Sequence, residues 1–290
     1  MEAFIHQLLS GMANGGIYAI IGLALVMIYQ STNHINFAQG EMAMLSTFLA
    51  WSMVNAGVPY WIMFVLTLIL SFLFGAAIER LIIRPVKKAP PLSVVAVFIG
   101  VLSIINSLAG AIFGHITKSF PSPFASNAWY GSTYMSAHEV GTIFITICVI
   151  GGVYLFLNYT PLGLGMRAAA LNPVSSRLVG IRVDRMLTLG WGLAGAIGAV
   201  GGMLAAPIVY LDPNMMGGIL LYGFAAALLG GIDNPWGAVA GGFIVGILEN
   251  LVGTYLVGTE LKLVVALVLI IGVLTLKPSG LFGRKLVVRV

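Results

Sequence analysis

The chain contains few charged residues and a single cysteine. Only 8% of its 290 residues are charged, 59% are hydrophobic, and the mean hydropathy is +1.03. Because soluble domains carry roughly a quarter charged residues, this composition excludes a soluble globular domain and indicates a polytopic membrane protein. Cys148 lies alone in an apolar run, so we predict no disulfide or metal framework within the chain and expect its side chain to be buried.

Several catalytic motifs are also absent. The sequence has no G-x-x-x-x-G-K-[ST] loop, and therefore no phosphate-cradling loop of the ATPase type. HExxH, GxSxG and CxxC motifs are missing as well, which argues against a membrane-embedded enzyme. We therefore predict no catalytic residues, metal ligands or cofactors. The net charge of +5 does not indicate nucleic-acid binding, because the cations lie in short loops between apolar runs.

Long apolar segments are what the chain has in abundance. A membrane-spanning helix needs about 20 apolar residues, and the candidates are residues 3–29, 41–56, 59–79, 92–113, 140–158, 187–209, 215–231, 237–257 and 261–276. The first has no basic region before it and no clear cleavage site after it, so we interpret it as a retained span. The pattern predicts one all-α transmembrane domain over residues 1–290, a bundle of about eight or nine transmembrane helices.

The segment 41–56 leaves the number of spans open. It is short, and the polar residues 30–41 before it are unsuited to lipid. If this segment crosses the membrane, the chain has nine spans and its N-terminus is outside. If it is re-entrant, there are eight spans and the N-terminus is inside. We favour nine.

The cationic residues define the predicted orientation. Twelve of the fourteen fall into three groups, namely Arg80, Arg84, Lys87 and Lys88; Arg167, Arg177, Arg182 and Arg185; and Lys277, Arg284, Lys285 and Arg289. The positive-inside rule places all three groups in the cytoplasm. Two predicted spans separate the first two groups and four separate the last two, and both counts are even, as a common side requires. The loop 114–139 and the turns near Asp212 and Glu260 are then external.

The segment 160–185 is the longest clearly polar interval. Asn172 is suited to cap a short helix, Pro173 to begin it and Gly180 to end it after about two turns. Val174, Leu178 and Ile181 then share one face. Two interpretations stay open from these residues alone: a helix that docks against another protein, or a connecting loop that rests on lipid headgroups.

Polar side chains within apolar segments are candidates for a translocation pathway. The first span carries a polar stripe beside a stripe of small residues, Gly11, Gly15, Ala19 and Gly22, that we expect to pack on a neighbouring helix. An acid within a membrane segment is expensive unless it is paired or faces the interior. The candidates are Asn14, Tyr18, Asn36, Gln39, Glu41, Asn106, Glu249 and Asn250, with Asn14 or Tyr18 as partner of Glu249. The alternative is that these groups form structural hydrogen bonds between helices.

Five motifs in order resemble those of LivH-like permease subunits of branched-chain amino-acid ABC transporters, from the first span to the C-terminus. They are Asn14-Gly15-Gly16-Ile17-Tyr18; Ile35-Asn36-Phe37-Ala38-Gln39-Gly40-Glu41; the block from Thr160-Pro161-Leu162-Gly163 to Asp184-Arg185; Leu229-Gly230-Gly231-Ile232; and Lys277-Pro278-Ser279-Gly280-Leu281-Phe282-Gly283. Each motif alone is weak evidence, whereas the ordered set is specific.

The resemblance implies a permease subunit in the bacterial plasma (inner) membrane, driven by two ABC ATPase subunits. It further implies a second permease subunit, either LivM-like or an identical copy, and an extracytoplasmic solute-binding protein. The residues expected to couple to the ATPase are Met166, Arg167, Ala168, Asn172, Pro173, Val174, Arg177, Leu178, Gly180 and Ile181. Alternatives are a related urea, amide or sugar permease, or a stand-alone secondary transporter with Glu41 and Glu249 on its ion path.

Overall fold

The computed structural model describes residues 2–32, 34–86, 89–124 and 134–283 of the chain. These residues form helices and connecting turns, with an isolated antiparallel bridge between Lys118 and Leu211. The α-helices are α1 (Glu2–Thr32), α2 (Gln39–Asn55), α3 (Tyr60–Ile78), α4 (Arg84–Val86), α5 (Pro91–Phe113), α6 (Ala137–Tyr159), α7 (Pro161–Leu171), α8 (Pro173–Leu178), α9 (Val183–Val209), α10 (Met216–Gly230), α11 (Pro235–Val252) and α12 (Lys262–Leu276). A π-helical turn, Glu79–Ile83, joins α3 to α4, and another, Gly253–Val257, follows α11.

Each of the nine apolar segments coincides with a helix, and the all-α prediction is confirmed for the described residues. Six helical stretches are long and apolar enough to cross a membrane: Glu2–Gln30, Tyr60–Val86, Leu92–Phe113, Ala137–Tyr159, Val183–Val209 and Pro235–Val257. Helices α10 and α12 are shorter but apolar, and α2 is not among the six. Lys87, Lys88 and the cations after residue 283 lie outside the described residues.

One compact unit consists of Met1–Val26, Ser122–Thr146 and Gly217–Val290. The small residues of α1 pack here against α11. A Cβ atom added at Gly15 would lie 2.9 Å from the carbonyl oxygen of Gly242, and one added at Gly11 would lie 3.0 Å from that of Gly246. The expectation that the small-residue stripe packs on a neighbouring helix is thus confirmed, because any side chain would force the two backbones apart.

The other unit consists of Met27–Pro121 and Ile147–Met216. Helix α9 packs against α2 and α3 along much of its length. Gly195 faces the backbone of Ser71 in α3, and Gly202 lies against Ala43 in α2. Trp191 is fully buried, and its ring stacks on Phe98 of α5 at 6.0 Å between centroids. The buried centre of this unit therefore lies around α9.

Two loops predicted to share the external side are paired in this unit. The backbone N–H of Lys118 donates to Leu211 O at 2.8 Å, and that of Leu211 donates to Lys118 O at 2.9 Å. The end of α2 joins them, because Trp51 Nε1 donates to Ser119 O at 3.2 Å. This pairing agrees with the predicted topology. Residues 125–133 of the loop lie outside the described part of the chain.

Cys148 corrects one expectation. Its side chain is exposed on α6, so the prediction of a buried residue was wrong. The neighbouring Phe144 and Ile147 are 64% and 59% exposed, which is the character of a surface that faces lipid. In a membrane protein, an apolar run does not imply burial within protein.

Candidate functional site

The segment that follows α6 folds as two short helices with complete caps. The Thr160 hydroxyl accepts a hydrogen bond of 3.0 Å from Gly163 N at the start of α7. The Asn172 side chain accepts from Val174 N at 3.1 Å and from Ser175 N at 3.0 Å at the start of α8. Gly180 follows α8 with φ of 86°. The predicted cap, first residue and terminating glycine of α8 are therefore confirmed, whereas α7 was not predicted as a separate helix.

Apolar side chains project from this polar segment without cover from the described chain. Leu171, Val174, Leu178 and Val179 are 72%, 68%, 84% and 76% exposed, and we call these four residues the docking face. They lie between α6 and α9, outside the candidate spans. Exposed apolar clusters of this kind mark sites for a protein partner or a membrane.

The other predicted coupling residues surround the docking face with different degrees of exposure. Arg167 is exposed, and its Nη1 donates to Asn158 Oδ1 at 2.8 Å. The remaining members divide into an exposed set, Asn172, Pro173, Arg177 and Gly180, and a half-buried set, Met166, Ala168 and Ile181. The exposed set belongs to α8 and its two ends, so the accessible surface is concentrated there.

An ion pair between the buried Glu79 and the half-buried Arg84 fixes the end of the segment beside α3. Glu79 is 2% exposed, and Arg84 binds it through two hydrogen bonds of 3.2 and 2.9 Å. Arg84 Nη2 also donates to the carbonyl oxygen of Asp184 at 3.0 Å, and the Thr188 hydroxyl donates to Glu79 Oε2 at 2.7 Å. The start of α9 is thereby held against the end of α3.

Sequence reasoning missed this cluster. Glu79 is an acid next to Arg80 at the end of an apolar run, and that isolated carboxylate was the available signal. Its partner on α9, Thr188, lies 109 positions away, and Asp184 lies 100 positions from Arg84, so neither contact could be assigned without the fold.

A polar network surrounds Glu249 in the unit that contains α1 and α11. The Tyr18 hydroxyl donates to Glu249 Oε2 at 3.0 Å, so Tyr18 is the one of the two predicted partners that binds this carboxylate. Lys262 Nζ lies 3.7 Å from Glu249 Oε1 and donates to Asn250 Oδ1 at 2.7 Å. Asn250 Nδ2 in turn donates to Gln7 Oε1 at 2.8 Å. The carboxylate and the amide are both buried, and each has partners on two other helices.

The prediction named Asn14 as the other candidate partner of Glu249. Asn14 is half-buried one turn before Tyr18, and the hydrogen-bond and ion-pair partners of Glu249 among the described residues are Tyr18 and Lys262 instead. Lys262 takes this place, and it was missed because it appeared in the sequence as a lone cation at the start of a predicted span.

Two other predicted pathway residues meet in the unit built around α9. Asn106 Nδ2 donates to Glu41 Oε2 at 3.2 Å, to Pro213 O at 2.9 Å and to Asn214 Oδ1 at 3.3 Å. Glu41 and Asn106 are only half-buried. They lie 65 positions apart in the sequence and were predicted separately. The fold places them side by side, so that α2 and α5 share one polar site.

Asn36 and Gln39 are fully buried at the break between α1 and α2. Asn36 Oδ1 accepts from Ala38 N at 3.0 Å, and Gln39 Nε2 donates to Ala194 O at 3.0 Å. The Gln39 bond therefore holds the break against α9, and the Asn36 bond stabilises the break itself. Among the described residues, no group of three or more His, Cys, Asp or Glu side chains is arranged to hold a metal ion.

Comparison with known proteins gives the family. Residues 7–274 match the family described as the permease component of a branched-chain amino acid transport system. The chain belongs to this family. The permease is 30% identical over 304 residues to the high-affinity branched-chain amino acid transport system permease protein LivH of Salmonella typhimurium, covering 99% of this chain and 98% of that protein.

Two further relatives show the breadth of the similarity. The permease is 29% identical to the protein BraD of Pseudomonas aeruginosa, named a high-affinity branched-chain amino acid transport system permease, over 99% of this chain and 98% of that protein. It is 22% identical to the ribose import permease protein RbsC of Haemophilus influenzae, over 93% of this chain and 84% of that protein. Family membership and the long apolar helices together make this chain a multi-pass membrane permease component.

Proposed function

We propose that this permease is the membrane-spanning subunit of an ABC importer that translocates branched-chain amino acids. An extracytoplasmic binding protein delivers the solute, and ATP hydrolysis in two partner subunits drives its passage. The observation that carries the proposal is the docking face, since α8 presents Val174 and Leu178 at 68% and 84% exposure outside the candidate spans. An apolar face on a capped helix is suited to a groove on a partner protein.

The coupling follows from how this segment is held. Arg84 binds both Glu79 and the backbone of Asp184, so α9 begins at a fixed point beside α3. A displacement of α8 by the ATPase would therefore pass to α9 and to the helices packed on it. Alternating access requires such a shift between two packings of the helices.

The contacts at the start of α1 support nine crossings with the N-terminus outside. His6 Nδ1 lies 2.7 Å from Tyr134 O, and Phe4 packs 6.4 Å from Tyr255 between ring centroids. Tyr134 belongs to the loop predicted as external, and Tyr255 lies close to the predicted external turn near Glu260. With the basic groups inside, this orientation satisfies the positive-inside rule. We place the permease in the bacterial plasma membrane because of its family.

The break before α2 supports a pathway inside the membrane. Gln39 contacts Ala194, which lies eleven residues beyond the first residue of α9, Val183. Eleven helical residues rise about 16 Å, roughly half the thickness of a hydrocarbon core. Non-helical backbone at such depth is tolerated only where it is buried in protein or lines a water-filled cavity.

Burial separates the predicted pathway residues into two roles. Glu41 and Asn106 are half-buried beside each other, and we propose that they contact the passing solute. Asn14 belongs to the other unit, where it is also half-buried, and its place on the pathway stays a prediction. In the deeply buried set, Gln39, Glu249 and Asn250 are bound to other helices, whereas Asn36 stabilises the break before α2, and we propose that these four support the path. Glu249 is paired with Lys262 and Glu41 accepts from Asn106, which favours a transporter that depends on ATP over one that binds ions at these acids.

Co-purification of a tagged chain with its native partners tests this proposal. We expect the eluate from native membranes to contain an ATP-binding subunit and a second permease, either LivM-like or an untagged copy of this chain. Uptake by the complex, reconstituted with its binding protein, is then compared for leucine and ribose, because the relatives include a ribose permease. A chain that purifies alone and transports leucine down an ion gradient contradicts the proposal.

A further inference from the structure

A cavity lined by four arginines lies beside the segment 160–185 but apart from the docking face. Its volume is about 680 Å³, and Arg80, Arg84, Arg182 and Arg185 are among its lining residues. None of the docking-face residues lines it. Gly180 and Ile181 of the predicted coupling set also line it, but the function proposed above assigns no ligand to it. Its volume falls within the range of roughly 300–1,000 Å³ that is usual for small-molecule sites.

Three of the four arginines have no counter-ion within the described part of the chain. Arg84 is bound to Glu79, whereas Arg80, Arg182 and Arg185 form no side-chain hydrogen bond or ion pair with described residues. All three are exposed. Guanidinium groups presented in this way bind phosphate oxygens through paired hydrogen bonds.

The charge balance of the cavity remains positive after its acids are counted. The lining arginines contribute four positive charges, and the nearby Glu79 and Asp184 contribute two negative ones, so 4 − 2 leaves a net charge of +2. Arg182 precedes the first residue of α9, and Arg185 lies in its first turn. The partial positive charge at a helix N-terminus adds to the attraction of an anion.

Apart from Thr188, whose hydroxyl donates to Glu79, the other residues that line the cavity are apolar or glycine, and this limits which anions fit it. Pro161, Leu162 and Leu189 line it together with the arginines. Beside it on the π-helical turn, Leu81 and Ile82 are 74% and 38% exposed at the end of a candidate membrane span. A site lined by both guanidinium groups and aliphatic side chains is matched to an amphiphile rather than to a soluble phosphate or an acidic peptide.

We propose that this cavity binds the phosphodiester headgroup of an anionic phospholipid of the inner leaflet, with the acyl chains against Leu162 and Leu189. Basic pockets at the cytoplasmic ends of membrane helices have the chemistry to bind such headgroups. The bound lipid would contact the start of α9 and the end of α3, the same elements that Arg84 joins. Anionic lipid would thereby stabilise the junction between the coupling segment and the membrane helices.

Native mass spectrometry of the complex purified from its own membrane provides the test. The variants Arg182→Gln and Arg185→Gln each remove one lining cation, and Arg177→Gln is the matched control, because Arg177 is an exposed cation on α8 that does not line the cavity. We expect wild type and Arg177→Gln to retain phosphatidylglycerol equally. Each lining variant should retain roughly fivefold less, the loss expected for one cation near a headgroup. Equal retention in all variants overturns the proposal.

The same samples separate this site from the docking face. If Arg182→Gln and Arg185→Gln lose the ATPase subunit but keep their lipid, the arginines belong to the ATPase interface and the lipid proposal fails. If they lose the lipid but keep the ATPase, the lipid proposal stands, whatever the fate of the docking face.

A second experiment changes the lipid composition and measures the unfolding temperature of the complex. Wild-type complex in nanodiscs of equal parts phosphatidylcholine and phosphatidylglycerol should unfold at a higher temperature than in phosphatidylcholine alone. The Arg182→Gln/Arg185→Gln double variant should show a smaller difference. No difference for wild type, or the same rise when inorganic phosphate is added to phosphatidylcholine nanodiscs, contradicts a lipid site.

Discussion

Tyr18 and Glu249 lie 231 positions apart in the sequence, and the Tyr18 hydroxyl donates a hydrogen bond of 3.0 Å to Glu249 Oε2. The bond joins α1 to α11 at the level where Lys262 approaches the other carboxylate oxygen at 3.7 Å. A buried carboxylate with two partners from different helices stabilises one packing of those helices, and removing either partner should show this.

Loss of Lys262 should destabilise the permease more than loss of the whole pair. Lys262→Met leaves Glu249 buried without its cation, and we expect about 1–3 kcal/mol of destabilisation. The Glu249→Gln/Lys262→Met double variant should recover part of it, because no unpaired charge remains. Thermal unfolding of the purified complexes measures both. A double variant that is less stable than Lys262→Met indicates that the charge pair is not the relevant contact.

Substitution of Arg84 should lower the stability of the permease more than the same substitution of Arg80 on the same turn. Arg84→Gln leaves Glu79 buried and unpaired, which costs about 3–5 kcal/mol where a buried pair is broken; because Arg84 is partly exposed, we expect the lower end. Arg80→Gln removes an equal charge from an exposed side chain and should change the stability in phosphatidylcholine by less than about 0.5 kcal/mol. Equal effects of the two substitutions would show that Arg84 does not anchor α9.

Glycine-to-alanine substitution should have different effects at Gly15, where α1 packs on α11, and at Gly151 on α6. Gly15→Ala places a Cβ 2.9 Å from Gly242 O and from Phe243 Cα, so the helices must separate at about 1–3 kcal/mol. A Cβ added at Gly151 on α6 would meet no atom within 4 Å outside the backbone of its own helix. Because alanine has the better helix propensity, Gly151→Ala should be neutral or stabilising. The two variants are compared by heating each protein and measuring, from its fluorescence, the fraction that still elutes in the main size-exclusion peak. A Gly15→Ala variant as stable as wild type contradicts the close approach.

Charge on the docking face should uncouple transport from hydrolysis. In Arg167→Glu/Val174→Glu, an exposed cation and an exposed apolar residue become acidic, which places a charge where an apolar face should be buried. We expect the variant to insert and to bind its binding protein, while ATP-driven uptake falls at least tenfold, the effect of losing about 1.4 kcal/mol.

The matched control for uncoupling is Leu276→Glu/Lys277→Glu. It makes the same two chemical changes at the end of α12, also predicted to lie inside, where Leu276 is 88% exposed. This control should retain uptake. If both double variants transport equally well, α8 is not the coupling element.

Local signals in the sequence were sufficient for much of the fold. The apolar runs place the helices, and the Asn172 cap and the positive φ of Gly180 follow from side-chain chemistry within a few positions. Contacts that depend on tertiary packing were harder to predict from the sequence. Tyr18 was one of two candidates for Glu249. The contact of Lys262 with Glu249, and those of the Glu79–Arg84 pair with α9, could not be assigned, because nothing local specifies which helices meet.

Burial within a membrane protein was the other property that composition could not give. Cys148 lies in an apolar run and is exposed, whereas Gln39 lies in a polar run and is fully buried. In a bilayer the lipid accepts apolar side chains, so hydrophobicity no longer distinguishes the protein interior from its surface.

Uptake of leucine into proteoliposomes tests the central claim most directly. The tagged permease is reconstituted with and without its co-purified ATPase, in the presence of the binding protein and of ATP at the cytoplasmic face. We predict accumulation only when the ATPase, ATP and the binding protein are all present, and none driven by a proton or sodium gradient across liposomes that contain the permease alone. Accumulation by the permease alone under such a gradient would contradict the account.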